Sequence, residues 1–393
     1  MKKSIIFSIL VLALSFVCCS RQDDTYSQYI VKGGYNYPAK PTQLVAVPGY
    51  YNVVLAWATP LDPAVKSVKL FWDNYAESMD VSYSDAKDGI LIVTVPDLEE
   101  RSYTFNVINY DGSGNKSLAA EVTASPYGEG WLCTHAERRV PFAKMQGDSA
   151  VVTLGTPVDE MVATMFRYRN SKGEIVESEP VPVDSMSATL KDALRGKYFE
   201  YRSSYRPANG YQAVWNLEWS KSATPIYYNL ASADWDITVT EKQYRDNNYL
   251  PKFMFDGNIE TMYHSSTNSG LRNKWPKIVS VDTKAEGDKI PTIVGINVIQ
   301  HPDQAKSRYV RSIGFYVGDS AFNPDDASYA TTYGEPALEA TLRQDVAEQS
   351  KDFAAPVTGR YFAIVFKNSY NTSGGYISAY EFEVLGYTAS DID

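Results

Sequence analysis

Residues 53–72 read VVLAWATPLDPAVKSVKLFW. Val53, Leu55 and Trp57 alternate with smaller neighbours. A Pro/Asp turn follows, and then Val68, Leu70 and Trp72 alternate again. A period of two around turn residues predicts antiparallel strands with one buried face each. Further along, RSYTFNVINYDGSGNKS (101–117) puts Tyr103, Phe105 and Val107 on one face ahead of a glycine-rich turn. That turn is rich in oxygens, but its place between strands favours a hairpin over a cation loop. The 30 tyrosines, with many Val, Thr and Trp, lean the same way. No stretch sustains a helical period, and no Rossmann or P-loop glycine pattern is present.

Residues 41–126 resemble a fibronectin type III module through the Trp57 strand and the Leu98…Tyr103 corner. In such a corner the tyrosine hydroxyl ties a strand to a neighbouring loop. The pattern recurs: VVLAWATP (53–60) is echoed by AVVTLGTP (150–157), with Leu154 in the place of Trp57. MFRYRNSKGEIV (165–176) predicts a hairpin turning at Lys172-Gly173, and KYFEYRSSYRP (197–207) repeats the late alternating strand. Residues 127–228 therefore read as a second, more divergent sandwich.

From 229 to 393 the strand-like runs KIVSVDT, TIVGINVIQ, RSIGFYVGDS, RYFAIVFKNS and EFEVLGY are separated by long loops rich in Asp, Asn and Gly. They predict a third all-β domain, a jelly roll with loops gathered at its ends. It opens with FMFDGNIETMYHSS (253–266) and closes with ISAYEFEVLGY (377–387). Together with Trp275-Pro276-Lys277-Ile278 and Arg360-Tyr361-Phe362, these resemble the discoidin, or factor V/VIII type C, family, which includes galactose-binding-like carbohydrate-binding modules. The likeness spans the whole domain. Tyr263 stands where the family has tryptophan, and the cysteine pair of many eukaryotic members is missing. The resemblance implies a structural Ca2+ held by Asp256, Asn258, Thr261 and Glu381, with Gly257 permitting the turn. A tight loop of carboxylate, amide and carbonyl oxygens suits that ion. It also implies a sugar site on loops at one end of the domain, where His301, Arg308, Asn368 and Tyr370 are expected to converge. An aromatic ring would pack on the sugar's C–H face and planar polar groups would take its hydroxyls.

The N-terminus, MKKSIIFSILVLALSFVCCS, has a positive start and a thirteen-residue apolar run from Ile5 to Val17, too short to span a bilayer. It ends in a stretch that looks like a bacterial lipobox. Residues 1–18 then form the signal peptide and 19–40 a polar tether; of the two cysteines, Cys19, preceded by small Cys18, is the better candidate for the lipid, with Cys18, preceded by Val17, as the alternative. The acidic Asp23-Asp24 resembles a signal for export to the outer face of the outer membrane. With the signal removed, only Cys133 remains as a thiol, too few for a disulfide or a zinc cluster. Cys133 and His135, two apart on an expected strand, have no third orienting group and read as an incidental pair. Without Lys2 and Lys3 the 35 basic against 47 acidic residues leave −12 from the counts of 37 and 47. That balance disfavours nucleic acid as a partner.

The sequence thus predicts an all-β, lipid-anchored, surface-facing protein: two fibronectin-III-like sandwiches followed by a discoidin-like jelly roll, binding glycans without catalysis. Expected partners are a polysaccharide, the outer membrane through the anchor, and an outer-membrane sugar importer. Two other readings are a surface adhesin or scaffold for a protein partner, and a hydrolase with its carboxylate pair in an unrecognised loop.

Overall fold

The computed structural model describes residues 37–240, 248–268, 270–271, 273–301, 306–371 and 375–392. The chain divides into two compact units, 1–132 together with 207–212, and 133–206 together with 213–393. Both are built of antiparallel sheets. Among the described residues no helix is long and apolar enough to cross a membrane.

In the first unit seven strands make two sheets. They are β1 (Thr42–Gly49), β2 (Asn52–Ala58), β3 (Val65–Trp72), β4 (Glu77–Val81), β5 (Ile90–Val95), β6 (Tyr103–Asp111) and β7 (Ala120–Ala124). One sheet runs β1-β2-β5 and the other β4-β3-β6-β7. The alternation works as its period demands. Val53, Leu55, Trp57, Val68, Leu70, Tyr103, Phe105 and Val107 all lie in the core between the sheets. Trp57 donates its ring N–H to the Tyr83 hydroxyl at 3.2 Å, which donates to Asn109 at 2.6 Å. The Tyr103 hydroxyl accepts from the Glu99 amide at 3.0 Å, beside buried Leu98. After β6 the Asp111 carboxylate accepts from the amides of Ser113 and Asn115 at 2.9 and 2.8 Å, so the oxygen-rich segment is a hairpin turn.

The second unit begins with a sandwich of the same plan. Its strands are β8 (Ala143–Gln146), β9 (Ser149–Thr153), β10 (Met161–Arg169), β11 (Ile175–Glu177), β12 (Val181–Pro182), β13 (Ser187–Leu190), β14 (Glu200–Tyr205), β15 (Val214–Trp215) and β16 (Ser220–Lys221). They form a β13-β9-β8 sheet facing a sheet ordered β11-β10-β14-β15, in which β12 pairs β10 and β16 pairs β14. Leu154 is buried as Trp57 is. The β10–β11 hairpin turns through Asn170–Glu174, with Gly173 at φ +80°, a conformation glycine takes without steric cost. The pair Cys133 and His135 lies outside any strand, contrary to the expectation. Cys133 is exposed, while His135 Nε2 sits 3.2 Å from Glu160, so the two do not act as a unit.

The rest of the unit is a larger two-sheet domain. Its strands are β17 (Tyr228–Asn229), β18 (Asp236–Val239), β19 (Tyr263–His264), β20 (Lys277–Asp282), β21 (Pro291–Ile299), β22 (Val310–Gly318), β23 (Leu338–Thr341), β24 (Glu348–Thr358), β25 (Tyr361–Ser369), β26 (Ser378–Ala379) and β27 (Glu381–Thr388). The sheets are β17-β27-β21-β24 and β18-β20-β25-β22-β23, and β19 pairs β26 at one end. Val279, Val281, Ile296, Val298, Phe315, Phe362, Phe366 and Phe382 fill the space between them. Within this unit the second sandwich is joined to the domain. The Met145 amide donates to the Tyr227 carbonyl at 2.7 Å, Tyr227 stacks on Tyr387 at 6.2 Å, and Lys144 meets Glu383 at 3.2 Å.

Candidate functional site

The loop 256–261 is tied together by its own side chains. Gly257 takes φ +73°, which lets the chain reverse between Phe255 and β19. The Asp256 carboxylate accepts from the Asn258 amide at 3.0 Å and from the Thr261 hydroxyl at 2.8 Å. The Asn258 side-chain oxygen accepts from the Glu260 amide at 3.0 Å, and its carbonyl oxygen faces the Thr261 hydroxyl at 2.9 Å. Glu381, at the start of β27, reaches in from the other side. One of its oxygens accepts from the Gly257 amide at 3.1 Å. The other, Oε1, is buried with no hydrogen-bond partner. Burial, with Asp256 and Glu383 adding repulsion, pushes the Glu381 carboxyl up to about 8. All four residues expected to hold Ca2+ therefore meet at one place. The unpartnered Glu381 oxygen beside Asp256 fits a hard cation, which takes carboxylate, hydroxyl and carbonyl oxygens. Among the described residues no group of three or more His, Cys, Asp or Glu forms a metal cluster, so hydroxyl and amide oxygens would have to share the work.

A second cluster is built from four separate stretches of chain. His301 follows β21, and its carbonyl accepts from the Tyr309 hydroxyl. Its ring packs 5.6 Å from that of Tyr380, and its Nε2 lies 3.4 Å from a Glu260 carboxylate oxygen. The Arg308 guanidinium sits 5.6 Å over the half-buried Tyr376 ring. Tyr376 in turn stacks on His264 at 5.3 Å, and His264 packs on Tyr249 at 5.8 Å. The His264 Nδ1 is 2.6 Å from the Ser265 carbonyl, which places a proton on that nitrogen. Burial foremost, and then the Arg308 charge, hold the His264 pKa below its ordinary value, so the ring is neutral at pH 7. Arg308, Tyr249 and Glu260 all act electrostatically on the Tyr380 hydroxyl, whose pKa burial raises.

Asn368 and Tyr370 stand at this same end of the strands. Val310 pairs with Ser369, Ser312 pairs with Asn368, and the Tyr370 amide donates to the Tyr309 carbonyl at 3.1 Å. Their side chains make other contacts. The Tyr370 hydroxyl donates to the Leu342 carbonyl at 2.6 Å, under the Arg311 guanidinium at 5.7 Å. Asn368 lines a shallow pocket with Ser312, Glu339, Thr341 and Lys367, and its side-chain oxygen is buried without a partner. Of the four residues expected to bind a ligand, His301 and Arg308 thus join the aromatic cluster, while Asn368 and Tyr370 face neighbours on β22 and β23. His264, Glu260 and Tyr380 were absent from the expectation. The signal for His264 lay in YHSS itself, directly after the Asp-Gly-Asn loop, but its link to Tyr376 depends on the pairing of β19 with β26. Cys19 lies outside the described residues.

A family model described as a domain of unknown function, DUF4998, matches residues 19–211, just under half of the chain. No curated protein matches the sequence. Solved structures similar to the chain include three of different kinds. One is the family 32 carbohydrate-binding module of Clostridium perfringens NanJ in complex with galactose (15% identity, 41% of this chain and 99% of that one, TM-score 0.32). Another is a SusE-like protein (7% identity, 88% and 96%, TM-score 0.31). The third is a two-module fibronectin type III segment of chicken tenascin (14% identity, 46% and 99%, TM-score 0.21). At TM-scores of this size the likeness carries no functional conclusion.

Proposed function

We propose that the chain is a non-catalytic, cell-surface carbohydrate-binding protein, anchored in an outer membrane through Cys19 and facing outward, with a discoidin-like C-terminal domain as its binding end. The convergence of His264, His301, Arg308, Tyr376 and Tyr380 supports this reading. The guanidinium held over Tyr376 presents planar donors to a pair of adjacent sugar hydroxyls, and His301 adds a ring nitrogen. The half-buried Tyr249 and Tyr376, packed on either side of buried His264, offer their open ring edges to the sugar's C–H groups. His264, neutral and fixed by Ser265, positions Tyr376 without bringing a second positive charge beside Arg308. Asp256, Thr261, Asn258 and Glu381 would hold Ca2+, whose charge would offset the buried carboxylate and stiffen the loop that carries Glu260.

The test is a glycan array probed with the mature chain, with and without a chelator, alongside Arg308→Ala and Tyr376→Ala. Binding is expected for the natural chain, with each substitution weakening it by about tenfold or more. A folded chain that binds no glycan, or that binds equally well after both substitutions, refutes the assignment. Mass spectrometry of the mature N-terminus tests the anchor, and an unmodified amine there rules it out.

One observation favours the adhesin or scaffold reading. On the first sandwich Val45, Ile90 and Ile92 are 52%, 47% and 65% exposed, and β2 aligns Ala56 with both Val45 and Ile92. A small apolar sheet face of this kind suits contact with another protein.

A further inference from the structure

The second sandwich carries a charged groove that takes no part in the C-terminal cluster. On β10 and β14 the guanidinium groups of Arg167 and Arg202 lie over the Trp219 ring at 4.6 and 4.4 Å. Arg167 is also clamped by Glu200, which accepts from its Nε at 2.8 Å and its Nη2 at 2.7 Å. Strand pairing sets Arg167 beside Glu200 and Glu200 beside Lys221. The resulting groove has a volume of 280 Å³, with Arg167, Arg169, Ile175, Tyr198, Glu200 and Lys221 in its walls.

These walls hold three cations and one carboxylate, and Arg167 already occupies that carboxylate. Arg169 is exposed and spends one donor on the Gly173 carbonyl at 2.9 Å. Lys221 is exposed, and its ammonium sits 4.0 Å over the Tyr198 ring. Neither has a carboxylate partner among the described residues. Of the nearby acids, Glu174 accepts from the Asn170 side-chain amide at 2.9 Å and keeps its charge, and Glu177 stands opposite Arg167 on β11; neither lines the groove. Among the lining residues alone, three cations against one carboxylate leave a surplus of two positive charges, on a chain of net charge −10. Ile175, 62% exposed, and the half-buried Tyr198 give the same groove apolar walls.

We infer that this groove binds an acidic saccharide, with the carboxylate of one uronic acid residue between Arg169 and Lys221 and its ring against Tyr198 and Ile175. The volume falls below the range of about 300–1,000 Å³ that houses drug-sized ligands, so one ring is the fitting occupant. An anionic lipid surface is disfavoured. It would need a broad basic face, each cation adding only about 1 kcal/mol, on a chain whose overall charge repels it.

The test titrates the mature chain with a galacturonic acid trisaccharide and with its carboxyl-reduced, neutral counterpart, at low and at physiological salt. The acidic probe is expected to bind and to weaken with salt. The double variant Arg169→Ala/Lys221→Ala is expected to lose about tenfold in affinity at an unchanged thermal midpoint, while Arg308→Ala retains binding. The inference is overturned by an absence of acidic-probe binding, by equal binding of the neutral probe, or by binding that the double variant leaves intact. A loss in Arg308→Ala alone assigns the ligand to the C-terminal cluster and also overturns it. Binding to anionic vesicles that requires Arg169 and Lys221, without saccharide binding, overturns it in favour of a membrane contact.

Discussion

Arg360 closes on Asp282 through two parallel bonds, Nε to Oδ1 at 2.8 Å and Nη2 to Oδ2 at 3.0 Å. The guanidinium holds the Asp282 carboxyl well below the usual carboxylate range, with the Lys284 amide and ammonium helping. A depressed pKa stabilises the fold at and above the ordinary value of about 3.9, and that contribution fades as pH falls toward the lower folded value. Arg360→Ala is therefore expected to lower the urea midpoint at neutral pH, and its difference from the natural chain should narrow in acid. A gap that stays constant down to about pH 3 would contradict the assignment. Tyr103 makes a related point about legibility. Its role was readable because the corner is local: the accepting hydroxyl and the donating Glu99 amide are four residues apart. Tyr103→Phe takes from the Glu99 amide, on an exposed residue, its acceptor on buried Tyr103 and should cost about 1 kcal/mol in denaturant unfolding. His264 was not readable in this way, since its partners Tyr376 and Arg308 come from remote chain.

At the scale of elements, strands with a dense apolar run were plain in the sequence: β20, β21, β22, β25 and β27 are central or doubly covered, and their burial follows from composition. β24 was missed. It is an edge strand in which only Gln349 and Phe353 are buried, and it carries Pro356. An edge needs few apolar residues and tolerates proline, so its sequence reads as loop. The candidate site divided along the same line. The Asp-Gly-Asn loop is a compact local motif, whereas the side-chain directions of Asn368 and Tyr370 depend on register with β22. Gly257 allows a clean test of the loop. A Cβ there would meet nothing within 4 Å, so only its φ of +73° resists substitution. Gly257→Ala should cost about 1–2 kcal/mol by thermal unfolding, and Gly257→Asn less, because asparagine tolerates the left-handed region. Equal stability of all three would show that the loop adopts another backbone in solution.

At the scale of the whole molecule, residues 133–206 and 213–392 share one packing unit. The aromatic stack Phe142–Tyr227–Tyr387 and the Lys144–Glu383 pair run across the seam between the second sandwich and the last domain. Asp391 accepts from the Tyr228 hydroxyl at 2.6 Å and so ties the last residues to the first strand of that domain. These two parts are expected to melt in a single calorimetric transition. Tyr227→Ala should split or broaden it, and two resolved transitions in the natural chain would show that the seam is weak.

The position of β27 bears on how the domain closes. It lies between β17 and β21, and of the described strands it comes latest in the chain. Without it β17 has no partner within its sheet and β21 shows an open flank, so strands from the start and the middle of the domain are joined in that sheet only through it. Closure of that sheet is then a long-range event, and deletion of β27 is expected to leave the domain open to protease.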